Sequence, residues 1–92
     1  MNDATLDRYV SFQGIDCDGN ADRLMGMLAR QMATTESRWV GYFEKKLAEK
    51  RRMGADNLHF IGSQVNTLSA FFAEEGDTEA LDLLAYLEET CC

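Results

Sequence analysis

The sequence predicts an all-α fold: a small single-domain bundle of three to four helices with an extended N-terminal arm. Three observations carry this. No proline occurs in the 92 residues, so no helix interior is broken by a missing N–H. Apolar residues recur in steps of three and four over most of the chain after residue 20, the spacing of one helix face. The breaks between those segments are short, which favours antiparallel neighbours. The length fits one domain, and a chain of this size buries roughly 60–65% of its unfolded surface. The apolar fraction of 46% is ordinary for a packed domain.

Residues 1–19 are expected to form the arm and a turn, and residues 20–92 the bundle. Tyr9-Val10-Ser11-Phe12 alternates weakly and precedes Gly14, as an extended arm laid on a bundle would. The first helix is expected from about Asn20 to Ala33. Ala21, Leu24, Leu28 and Met32 form its stripe, with Met25 beside it and Asp18 or Asn20 as cap. The second spans about Glu36 to Met53 after Thr35 as cap. Its stripe is Trp39, Phe43 and Leu47, and Lys50, Arg51 and Arg52 occupy the last turn, where cations oppose the helix dipole.

The third helix is expected from about Asn57 to Glu75. Leu58, Ile61, Val65, Leu68 and Phe72 form the cleanest amphipathic pattern in the chain, and Gly76 reads as its stop. The polar side of this helix carries Ser, Gln, Asn and Thr but no charge over residues 57–73. It is therefore either central in the bundle or covered by a partner. The fourth helix spans about Thr78 to Thr90, capped by Asp77 or Thr78. Its stripe of Ala80, Leu84, Leu87 and Cys91 is widened by Leu81, Leu83 and Tyr86. Gly26, Gly41 and Gly62 lie inside helices, at about 1 kcal/mol each relative to Ala. Close helix approach would offset that cost.

The formal charge of −7 is unevenly spread. Residues 1–35 carry −2, residues 36–52 carry +3, and residues 53–92 carry −8 with no Lys or Arg. A nucleic-acid binder concentrates bases to meet phosphate, so this pattern argues against one. An anionic membrane would also repel the acidic region. The start, Met1-Asn2-Asp3-Ala4, has neither the basic nor the apolar region of a leader. The longest run without a charged residue, Asn57–Ala73, is too short and too polar to span a bilayer. A cytoplasmic protein is expected. Three cysteines, an odd number, do not make a disulfide framework, and that fits a reducing compartment.

Motifs for chemistry fail on inspection. Asp16-Cys17-Asp18-Gly19-Asn20 suggests a calcium loop, but Ala21 stands where the glycine belongs and Met27 where the glutamate belongs. Cys17, Cys91, Cys92 and His59 lack the spacing of a zinc or iron–sulfur site, so no metal or cofactor is expected. Asp16 and Asp18 flank Cys17, and Glu88 and Glu89 precede Cys91 and Cys92. Negative neighbours disfavour the reactive thiolate. His59, the one histidine, flanks an apolar stripe and reads as a partly buried structural residue. Glu74-Glu75 and Glu88-Glu89 are sequence neighbours that point apart on a helix, unlike an acid–base pair. No catalytic residue is assigned.

The string Asp7-Arg8-Tyr9-Val10-Ser11-Phe12-Gln13-Gly14-Ile15-Asp16-Cys17-Asp18-Gly19-Asn20-Ala21 resembles the start of the CowN family of nitrogen-fixation-sustaining proteins. The resemblance continues through Trp39 with Tyr42-Phe43, through Leu58 to Asn66, and to Leu84, Leu87-Glu88-Glu89 and Cys91-Cys92. It implies a non-enzymatic protective factor that binds the molybdenum–iron component of nitrogenase and sustains nitrogen fixation in the presence of carbon monoxide. The residues then expected to meet the partner are the acids of the last third: Glu74, Glu75, Asp77, Glu79, Glu88 and Glu89. Two alternatives stay open. One is a metal-dependent carbon monoxide scavenger using Cys17, Cys91, Cys92 and His59. The other is a thiol redox sensor acting through the same three cysteines.

Overall fold

The structure is a computed structural model that describes residues 16–91. Those residues form five helices: α1 (Cys17–Thr34), α2 (Arg38–Met53), α3 (Asn57–Ser63), α4 (Val65–Glu75) and α5 (Thr78–Thr90). The class agrees with the sequence; the count exceeds the expected three to four. The difference arises at Gln64, where the third expected helix divides. Gln64 leaves helical geometry at φ −122° and ψ 22°, and its N–H turns back to the Ile61 carbonyl. Its side-chain Oε1 accepts from the Tyr42 hydroxyl at 2.8 Å and from Thr67 Oγ1 at 2.7 Å. Those bonds hold a kink that an unbroken apolar stripe does not reveal. The expected arm falls, over residues 1–15, outside the described residues.

The helix ends follow from local chemistry. α1 begins at Cys17, earlier than the expected Asn20, because Asp16 Oδ1 accepts the Gly19 N–H at 2.9 Å. α2 begins at Arg38 because Ser37 Oγ, and not Thr35, accepts the Trp39 N–H at 3.2 Å. Asp56 and Asp77 cap α3 and α5 in the same way, each satisfying an N–H with no partner inside its helix. Gly54 and Gly76 end α2 and α4 at φ 71°. Their turns close by paired bonds, Ala55 N–H to Lys50 and Asp77 N–H to Phe72. This is the left-handed stop that glycine adopts without a Cβ penalty.

α1 packs against α3 and α5, and α4 against α5 and α3. Leu24, Leu28, Ile61, Leu68, Phe71, Phe72 and Leu87 fill the centre. α2 joins through aromatic side chains. Phe43 is fully buried with its ring centre 5.5 Å from that of Phe71; Tyr42 packs edge-on beside it, and Trp39 packs edge-on against Tyr42. In α4, Leu68, Phe71 and Phe72 are buried, Thr67 and Ser69 are half-buried, and Asn66 is exposed. The uncharged polar side of the third expected helix is thus covered within the chain at Gln64, Thr67 and Ser69 and open at Ser63 and Asn66.

Three expectations about faces change. Met27 and Phe71 belong to the core although they lie off the expected stripes. Tyr86, expected to widen the apolar stripe of the last helix, points outward at 39% exposure. Close helix approach does not account for the glycines at 26 and 41, because a Cβ at either would meet nothing within 4 Å.

Candidate functional site

α5 presents two opposed faces. Ala80, Leu83, Leu84 and Leu87 are buried against α1 and α4. Glu79, Asp82, Tyr86 and Glu89 are exposed. Their spacing of three, four and three puts them in one outward stripe. Tyr86 is one of two large apolar residues left exposed among the described residues, the other being Met53. A half-open aromatic ring among carboxylates suits protein contact, since tyrosine supplies an apolar body with a polar tip. An open groove runs beside it between α1 and α5, lined by Asn20, Arg23, Glu79, Asp82, Leu83 and Tyr86. Arg23 and Glu79 span the groove at 3.1 Å.

The structure divides the six acids singled out from the sequence. Glu74 accepts from Ser37 Oγ at 2.9 Å, and Glu75 from Thr35 Oγ1 at 3.1 Å. Asp77 accepts from Gln31 Nε2 at 3.0 Å while capping α5. These three tie the α4–α5 turn to the α1–α2 connection. Glu79 is engaged by Arg23. Glu88 and Glu89 are exposed and make no ion pair among the described residues. Asp82 and Tyr86 complete the stripe and were not among the expected site residues. The signal for both was in the sequence, because each lies on the side of the helix opposite Leu84 and Leu87.

The cysteines change most. Cys17, the first residue of α1, and Cys91, which follows α5, are joined in a disulfide with Cα atoms 5.8 Å apart. The odd count had argued against such a bond; one pair and one remaining cysteine satisfy it equally. Cys91 is half-buried against the core, and Cys92 lies outside the described residues. In the bonded form neither Cys17 nor Cys91 offers a thiolate to a metal. His59 is exposed, not partly buried, and sits near Lys46, Glu49 and Phe60 between α2 and α3. Among the described residues no three His, Cys, Asp or Glu side chains gather as metal ligands would. No described helix is long and apolar enough to cross a membrane.

Comparison with known proteins adds to this geometry. Residues 1–92 match the family described as N2-fixation sustaining protein CowN. A protein of that name from Cereibacter sphaeroides (strain ATCC 17025) is 63% identical over 92 residues, covering all of both chains. One from Rhodobacter capsulatus is 63% identical over 91 residues, or 99% of each chain. One from Allochromatium vinosum is 46% identical over 88 residues, covering 95% of this chain and 93% of the relative. No solved structure matches the chain.

Proposed function

Because the chain belongs to the CowN family of N2-fixation sustaining proteins, we propose that it sustains nitrogen fixation as a non-enzymatic docking factor. In this proposal it acts in the cytoplasm, binds the molybdenum–iron component of nitrogenase, and protects turnover against carbon monoxide. The family's name describes support of a process, not a reaction. The observation that carries docking is the outward stripe of α5, in which Asp82, Tyr86 and Glu89 stand exposed. Carboxylates around an aromatic ring suit a basic partner surface: the charges steer encounter and set register, and the ring supplies the desolvated anchor.

The test is charge reversal on that stripe. The double variant Asp82→Lys/Glu89→Lys should fold normally by circular dichroism, since both positions are exposed. It should bind the molybdenum–iron component at least about tenfold more weakly, as expected when opposed charges become like charges. It should also lose protection of acetylene reduction under carbon monoxide. Unchanged binding would remove α5 from the docking surface. Protection by metal-free protein under a large excess of gas separates docking from scavenging, because a one-site scavenger saturates once gas exceeds protein.

A further inference from the structure

The positive charge of this acidic chain is gathered on α2, and nothing in the docking proposal uses it. α2 carries Arg38, Lys45, Lys46, Lys50, Arg51 and Arg52 against Glu44 and Glu49. Lys46 is half-buried, 3.5 Å from Glu49 and 5.7 Å from the centre of the Tyr42 ring. Lys50 lines a groove with Asp18, Asp22 and Asp56. Lys45 and Arg52 differ from these two. Both are exposed, and neither has an ion-pair partner among the described residues.

Lys45 and Arg52 are seven residues apart, which places them on one face, two turns and about 10.5 Å from each other. Asp82 and Glu89 on α5 are also seven residues apart and exposed, so the same rise separates them. Tyr86 lies between the two acids. Ala48, small and half-buried, lies between the two bases, and Gly41, one turn before Lys45, offers no side chain and has open space around it. The two helices thus match in charge, in spacing, and in a ring set against a small residue.

We infer that the Lys45–Arg52 face of α2 is a second docking surface and that its occupant is the Asp82–Glu89 stripe of a second copy of this chain. The inference concerns the chain alone and stands apart from the proposed docking to nitrogenase. It has one consequence for that docking: the stripe is shared, so self-association and partner binding compete.

The electrostatics give the association an unusual salt profile. Each copy carries −7, so whole molecules repel while the matched faces attract. Near 0.01 M salt the screening length is about 30 Å and the repulsion of whole molecules acts in full. Near 0.1 M it falls to about 10 Å, which damps that repulsion but spares charges in contact. Near 1 M, at about 3 Å, contact pairs are screened as well.

Sedimentation equilibrium of the full chain tests this without a partner protein. Species heavier than the 10.4 kDa chain should be most abundant near 0.1 M salt and should dissociate near 1 M. Lys45→Glu/Arg52→Glu and Asp82→Lys/Glu89→Lys should each weaken self-association at least about tenfold. An equimolar mixture of the two variants should recover it, because the reversed faces are again complementary. Circular dichroism confirms that each variant is folded. A wild-type chain that stays monomeric near 0.1 M, association that survives both reversals, or a mixture that fails to recover it would each overturn the inference. A wild-type chain that self-associates as described but does not bind nitrogenase would count against the docking proposal only.

Discussion

The Cys17–Cys91 bond closes a loop with a sequence separation of 74. In the chain-entropy picture a cross-link of that span stabilises by about 4 kcal/mol, chiefly by restricting the unfolded chain. For a domain of ordinary stability, roughly 5–15 kcal/mol, that is a large share. Such bonds are uncommon in a reducing cytosol, where a dithiol reductant would take the bond to two thiols and itself become a disulfide. The helices then rest on the apolar core, which is built without the disulfide. Cys17→Ser should therefore lower the unfolding free energy by about 2–4 kcal/mol in oxidising buffer and change it little in excess dithiol. Urea melts of wild type and variant in both buffers measure this. Equal wild-type midpoints with and without reductant would show that the bond contributes nothing. Cys17 also sits between Asp16 and Asp18, with Glu88 and Glu89 close in sequence to Cys91. That negative setting disfavours attack by an anionic thiolate and suits a staple better than a sensor.

At the scale of elements, α1 and α2 each carry a glycine the fold does not require. Gly26 and Gly41 are exposed in helix interiors, and an added Cβ meets nothing within 4 Å. Gly26→Ala and Gly41→Ala should each stabilise the chain by about 0.5–1 kcal/mol. A shift of that size raises Tm by roughly 2–8 °C in a domain of this length, which a thermal melt resolves. An unchanged or lowered Tm would mean that the glycines serve the isolated chain after all. α2 is otherwise held by its aromatic face. Phe43 reaches Phe71 across the bundle while the polar face looks outward, so α2 presents its cations without disturbing the core. Gly54 and Gly76 are different from the helical glycines: at φ 71° they occupy the left-handed region, where a side chain is strained.

For the whole molecule the decisive property is that charge is segregated by helix. α2 is basic, and residues 53–92, which include α3, α4 and α5, carry eight acids and no Lys or Arg. Three of those acids tie the α4–α5 turn to the α1–α2 connection, and the exposed acids of α5 remain for a partner. If that stripe docks on nitrogenase, the association rate should fall about tenfold or more between roughly 0.1 M and 1 M salt, as the screening length shrinks from about 10 Å to 3 Å. The dissociation rate should change less. Stopped-flow or surface-based kinetics distinguishes the two rates, and an association rate independent of salt would remove electrostatic steering from the proposal.

The sequence by itself determined the helical class, the ends of α5, the stop at Gly76, the acidic final third and the family. Each of these is local or additive: a cap needs only a carboxylate three residues before an N–H, and charge is a count. Tertiary structure alone decided which acids remain available, because Glu74 and Glu75 are claimed by Ser37 and Thr35, far away in the chain. It decided the break at Gln64, which answers to Tyr42. It also paired Cys17 with Cys91 across a separation of 74. Helical periodicity states which side of a helix is apolar but not what lies opposite. Partners brought together by packing over long loops leave no mark in local spacing, and that is where the fastening of this bundle and the exposure of its α5 stripe are set.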